Sequence, residues 1–256
     1  MHAATPFLKR LSVLFLVVVI LLGAWEMAIV VYKIPPYLLP TPASVGAAFI
    51  TNRATLIDHT AFTLLSAFIG LAVSTLLAVS LAVLFVTHKP VSQAAMPVVI
   101  LFRSAPVTAV APLIMLFVGR GIATSVVVVV IVSFFPILVN MMRGLMRADP
   151  NALELLHVYG ASRWQHIRYV QAPYSLPFLF AGLRVASASA VLGAMLSEWV
   201  TGSPGLGVLI LESGVMREIE TLWAAVITSV VFALIVFALT SSAEKAVLHW
   251  KAAQAG

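Results

Sequence analysis

An all-α integral membrane fold with six transmembrane helices is predicted by two features of the sequence. Apolar runs of roughly 20 residues or more recur along the chain, each long enough to cross a hydrocarbon layer about 30 Å thick. Only 9% of the 256 residues are charged and 62% are hydrophobic, whereas a soluble domain carries roughly 25% charged residues. The mean hydropathy of +1.09 agrees. No polar stretch is long enough for a separate soluble domain. One membrane domain is expected: an N-terminal helix and edge segment over residues 1–58, a core over 59–245, and a tail over 246–256.

The first run, Leu11 to Tyr32, follows Lys9-Arg10 and carries one charge, Glu26. It is longer than a typical signal-peptide core and has no A-x-A site after it, so it reads as a retained span. Pro35, Pro36, Pro40 and Pro42 exclude regular helix from the next segment, and Ala43 to Asp58 is mildly amphipathic and expected outside the bilayer core. Span 2, His59 to Thr87, is rich in Ala, Ser, Thr and Gly, which suits close helix packing in lipid. Span 3, Gln93 to Val118, contains Pro97, Pro106, Pro112 and Arg103. Prolines inside a span free carbonyls that neighbours or a wet cavity must satisfy, and an arginine there usually faces a polar interior. Gly119-Arg120-Gly121 is a tight turn. Span 4 is Ile122 to Met142, with Pro136 and Asn140. Span 5 is Tyr174 to Val200, with Gly182, Arg184 and Glu198. A glycine-rich turn, Thr201 to Gly207, leads to a polar segment and then to span 6, Thr221 to Ala243.

Basic residues orient this layout. With the N-terminus inside, the inner segments hold Lys9, Arg10, Lys89, Arg143, Arg147, Arg163, Arg168, Lys245 and Lys251; the outer segments hold Lys33, Arg53, Arg120 and Arg217. The excess places both termini and the connection between spans 4 and 5 in the cytoplasm. It also accounts for the net charge of +6 without nucleic acid as a partner.

That connection, residues 149–172, is the most ordered polar stretch. Asp149-Pro150 reads as an N-cap followed by proline at the first helical position. Ala152, Leu155, Leu156 and Tyr159 then share one helix face. Glu154 lies in the first turn, where a carboxylate suits the helix dipole. Gly160 is a C-cap position. Ser162 and Gln165 form the spacing of a capping box that starts a second short helix, and Pro173 and Pro177 introduce span 5. On pattern alone these helices either lie at the lipid surface or dock in a partner's groove.

Catalytic chemistry is not visible. None of the five lysines follows a glycine, so no G-x-x-x-x-G-K-S/T phosphate loop exists. Cysteine is absent, which removes thiolate metal sites and nucleophiles. The six histidines show no metal spacing and read as structural. No G-x-S-x-G elbow is present. No catalytic residue, metal site or cofactor of this chain's own is expected. Arg103, Asn140, Arg184 and Glu198 are the polar groups inside spans; they lack a nucleophile–base pair and suit either inter-helix locking or solute binding.

Glu154-Leu155-Leu156-x3-Gly160-x9-Val170-x-Ala172-Pro173 resembles the EAA-x3-G-x9-I-x-L-P loop of bacterial ABC importer permeases, with the glutamate, glycine and proline at the family spacing. Leu39-Pro40-Thr41-Pro42, the run Arg103 to Leu113, Phe134 to Asn140, Ala181-Gly182-Leu183-Arg184, Glu198 and Gly205-Leu206-Gly207 look like the nitrate/sulfonate/taurine-type subfamily. The resemblance implies a type I importer fold in the bacterial inner membrane. It implies a second permease copy, two cytoplasmic ATPases carrying ATP and Mg, and an extracytoplasmic solute-binding protein. It assigns ATPase coupling to Ala152, Glu154, Leu155, Leu156, Tyr159, Gly160 and Pro173. A translocation path for a small anionic or polar organic solute is expected along Arg103, Pro106, Asn140, Arg184 and Glu198, with Glu198 near the outer mouth. An ATP-independent channel or secondary transporter is the alternative; it would show inverted repeats and have no use for the cytoplasmic helix.

Overall fold

The computed structural model describes residues 4–104 and 106–248. Ala105 of the Arg103–Leu113 motif, His2, and the tail from His249 on, with Lys251, lie outside the described residues. The elements in chain order are α1 (Ala4–Tyr32), α2 (Pro42–Thr51), α3 (Arg53–Thr87), α4 (Lys89–Ser104), α5 (Val107–Val118), α6 (Ile122–Met146), α7 (Pro150–Val158), α8 (Arg163–His166), a π-turn (Ile167–Gln171), α9 (Ala172–Thr201), α10 (Leu206–Val215) and α11 (Ile219–Val247). No strand occurs among the described residues. Five helical stretches are long and apolar enough to cross a membrane: Phe15–Tyr32, Arg53–Thr87, Ile122–Met146, Arg163–Thr201 and Ile219–Val247.

Four expectations change. Pro42, read as excluding helix, opens α2 at the first helical position, where a missing N–H costs nothing. The third predicted span is two helices, α4 of 16 residues and α5 of 12, separated at Pro106. At 1.5 Å per residue they reach about 24 and 18 Å, each short of a full crossing. Pro106 supplies the extended backbone that precedes α5, because a proline disfavours helix in the residue before it and has no N–H to offer a helix. The second short helix of the 149–172 connection does not end before span 5. It runs through the π-turn into α9, so Arg163–Thr201 is one continuous stretch. The segment after Gly207, expected to be polar, is the helix α10, with Leu206, Val208, Leu209 and Ser213 buried.

The described residues fall into two compact units. One takes in the residues up to Ile57 together with Leu209–Ile227. Here Trp25 meets Trp223 with ring centroids 5.2 Å apart, and Asn52 Nδ2 donates to Thr221 Oγ1 at 2.9 Å. Thr41 caps α2 by accepting from Ser44 N. The apolar window of α1 is wholly unburied, the arrangement a bilayer favours and water does not.

The other unit takes in Asp58–Val208 and the residues from Thr228 on. Its centre is α6. Ile137, Leu138, Met141 and Leu145 pack with Ala78, Ala82 and Phe85 of α3 and Ala186 of α9; a second cluster joins Ala67, Val129, Ala190, Val191, Ala194 and Val236. Small residues bring α6 and α9 into close contact. A Cβ on Gly182 would stand 2.9 Å from Pro136 O and 3.0 Å from Ile137 Cα, and one on Gly144 would stand 2.8 Å from Ser175 Cα. Ser125 and Ser197 add a buried hydroxyl pair between the same helices at 3.3 Å. Helices in lipid associate through this kind of tight, small-residue packing, since apolar burial alone gains little there.

Candidate functional site

The 147–162 connection is built by its caps. Asp149 Oδ1 accepts from Asn151 N at 3.0 Å, and Pro150 fills the first helical position, where a missing N–H costs nothing. At the other end Gly160 has φ +70, with Gly160 N donating to His157 O at 2.9 Å and Ala161 N to Leu156 O at 3.0 Å. That pair of bonds is a Schellman termination, and the left-handed residue it needs is the glycine. Ser162 and Gln165 then make both bonds of the capping box: Ser162 N donates to Gln165 Oε1 at 2.6 Å and Gln165 N to Ser162 Oγ at 3.4 Å. Both caps of α7 and the capping box that starts α8 are present as read from the sequence.

Between these caps α7 buries nothing. Leu155 is 57% exposed, Val158 78% and Tyr159 79%; Ala152 and Leu156 are half-buried and Glu154 is exposed. The connection is anchored at its exit. Ile167 is buried, and Gln171 Nε2 donates to Leu145 O at 3.1 Å, closing one of the last carbonyls of α6. Ala172 N donates five residues back to Ile167 O. Pro173 follows at once; its lack of an N–H and its ring conflict with regular α-helical bonding to the preceding turn. A π-turn relieves such a conflict by widening the helix locally.

The polar residues of the spans separate in space. Asn140 Nδ2 donates to Pro136 O at 2.7 Å, back along its own helix. Arg184 Nη1 lies 3.3 Å from Glu244 Oε2, an ion pair between α9 and α11. Arg103 has no carboxylate partner among the described residues; its guanidinium sits 4.6 Å from the centroid of the Phe135 ring, within cation–π range. It borders a cavity of about 250 Å³ walled by Leu77 and Leu81 of α3, Val99 of α4, and Ile131, Phe134 and Phe135 of α6. Pro106, at the break after α4, is exposed.

Glu198 is fully buried. Its Oε2 accepts from Thr63 Oγ1 at 3.0 Å and from Gly207 N at 2.9 Å, while Oε1 has no partner among the described residues. Sequence reading missed Thr63, which bonds it, and His59 and Ser203, which tie the turn that follows it. His59 Nδ1 is 2.7 Å from Gly205 O and 3.1 Å from Gly205 N. Thr63 Oγ1 accepts from Leu206 N at 2.9 Å. Ser203 Oγ accepts from Gly121 N at 3.1 Å. The i, i+4 spacing of His59 and Thr63 was the available signal, but nothing local links either to a turn about 140 residues away.

Multiple long apolar helices, with a proline-broken pair among them, mark a polytopic membrane protein. The chain belongs to the family of binding-protein-dependent transport system inner membrane components, which matches residues 70–249. The riboflavin transport system permease protein RibX of Chloroflexus aurantiacus is 32% identical over 235 residues, 91% of this chain and 88% of the relative. The formylaminopyrimidine transport permease protein ThiX of Halalkalibacterium halodurans is 31% identical over 220 residues, 86% of this chain and 88% of the relative. Aliphatic sulfonate and taurine permeases are relatives as well, in keeping with the subfamily resemblance. An amino acid ABC transporter shares the fold with a TM-score of 0.61 at 18% identity, over 78% of this chain and 97% of that one. The protein is therefore a permease subunit of a binding-protein-dependent ABC importer.

Proposed function

We propose that the permease crosses the inner membrane six times, with α4 and α5 together making one proline-broken crossing and with both termini in the cytoplasm. The connection carrying α7 then lies in the cytoplasm and docks in the groove of a separate ATPase subunit. The observation that carries this reading is the exposed apolar face of α7. Leu155, Val158 and Tyr159 are left uncovered between two well-capped ends, in the segment where Glu154, Gly160 and Pro173 keep the family spacing. Three large apolar side chains held on a rigid short helix suit a protein groove.

Two copies of the chain form the pore, two ATPases bind ATP and Mg, and an extracytoplasmic receptor delivers a small anionic or polar organic solute. ATP binding draws the ATPases together and moves α7. The movement enters the membrane at Gln171, which holds the end of α6, and at the Pro173–Pro177 segment of α9. Such a shift needs α7 to contact the ATPase differently in the two states. Along the path Arg103 and Pro106 face the solute; Asn140 bonds back along its own helix, and Arg184 and Glu198 have partners on other helices and hold them.

Proteoliposomes containing the permease with its ATPase and receptor test the proposal. Uptake should require ATP, and Leu155→Asp should abolish co-purification of the ATPase. Uptake that proceeds without ATP would identify an ATP-independent carrier instead.

A further inference from the structure

The geometry points to Glu198 as a positioning residue: with Thr63 and His59 it forms a clasp that holds the 202–207 turn closed against α3, and the permease seals its outer end through that clasp. The orientation rests on the importer reading above; the clasp itself does not.

Two consecutive backbone N–H groups, those of Leu206 and Gly207, are met by different side chains, Thr63 Oγ1 and Glu198 Oε2, and His59 Nδ1 lies 2.7 Å from the carbonyl oxygen of Gly205. The two N–H groups stand at the start of α10, where helical N–H groups have no partner within their own helix. Glu198 thus places a carboxylate at the N-terminal end of a helix dipole, the favourable end for a negative group, and it reaches there from a different helix. His59 and Thr63 sit one turn apart on α3. The clasp therefore joins α3, α9 and the start of α10.

The turn is shaped to the carboxylate. Gly205 has φ +142, and a Cβ on it would overlap the Glu198 carboxyl group; a Cβ on Gly207 would overlap the carbonyl of Met195. Side chains larger than hydrogen are excluded where the turn meets α9. The other end of the turn is tied as well, since Ser203 is fully buried and accepts from Gly121 N. A solute-contacting carboxylate would face an opening. This one is enclosed, and only Oε1 is uncommitted among the described residues.

The chain has no cysteine, so a single Ser203→Cys replacement gives a reporter on a silent background. Its reaction with a membrane-impermeant maleimide in membrane vesicles measures how often the turn opens. Adding Glu198→Ala should raise the labelling rate roughly tenfold, the size expected for loss of a helix cap. Glu198→Gln, which keeps an acceptor for Gly207 N, should restore labelling to near the reporter's own rate. Thr63→Val removes one hydroxyl at constant shape and should also raise labelling; it carries the test if Glu198→Ala does not accumulate. In the assembled importer, Glu198→Ala should lower the maximal uptake rate and leave the solute KM unchanged. Unchanged labelling in folded Glu198→Ala and Thr63→Val would overturn the clasp. A raised KM with unchanged labelling would make Glu198 a solute contact instead. Labelling needs neither ATPase nor receptor, so its failure is distinct from failure of the importer reading.

Discussion

The seam between α6 and α9 and the α7 connection that links the same two helices are built on opposite principles. In the seam, glycine and serine remove side-chain bulk, backbones approach closely, and the apolar residues are covered. In the connection, strong caps fix a helix of nine residues that buries none of them. A helix this short is marginal on its own and normally gains its stability from packing. Here the caps replace packing and leave the apolar face free. The seam carries the fold's internal cohesion, whereas the connection leaves its large apolar side chains uncovered by the described residues.

Glycine substitutions break that comparison most sharply. Gly182→Val places new carbons against Pro136 O and Ile137 Cα, and overpacking of this kind costs about 1–3 kcal/mol or more. The expected result is the largest of the series, loss of monodisperse protein in detergent by size-exclusion chromatography. Gly160→Val meets no neighbouring atom, but forces a β-branched residue to φ +70. That costs about 1–2 kcal/mol locally, so the protein should purify normally while ATP-driven uptake falls roughly tenfold. If Gly160→Val transports like the parent, α7 does not couple the ATPase to the pore.

The exposed face gives the next effect. Leu155→Asp should leave the thermal melting of the isolated permease unchanged, within the roughly 0.5 kcal/mol typical of surface changes, while ATPase binding is lost. A drop in melting temperature would mean that α7 is covered by the chain itself. The smallest effect is expected at Arg184. Its ion pair with Glu244 is partly exposed, so Arg184→Gln should cost about 1 kcal/mol or less and leave uptake nearly intact. The exchange Arg184→Glu with Glu244→Arg should recover that loss. Arg103→Gln, by contrast, should reduce uptake with little change in melting, because Arg103 contacts a ring and a cavity and pairs with no described carboxylate.

Legibility in the sequence followed the range of the interaction. Asp149-Pro150, Gly160 and the Ser162–Gln165 box could be read because caps are set within a few residues of themselves. Long apolar runs could be read because lipid demands them. The division of the third span at Pro106 was harder: three prolines marked it as irregular without saying which one ended the helix. The continuity of α8 with α9 was hidden because Pro173 looks like a boundary, and a π-turn has no residue signature of its own. Glu198 was expected at the outer mouth. Its enclosure depends on Thr63, 135 residues away in the chain, and on a glycine turn whose shape is fixed only in three dimensions. The helix faces of α3, α6 and α9 were likewise unreadable, since a span that is apolar all round offers no polar side to define its orientation.

The π-turn at Ile167–Gln171 also has a rotational meaning. Each residue of an α-helix advances the chain by about 100° around the axis. Winding these same five residues as ordinary α-helix, with none deleted, would swing α8 by about a quarter turn relative to the faces of α9. The stretch works as an index mark between a shaft and the crank attached to it: its wider winding sets the compass bearing on which the helix before it leaves α9.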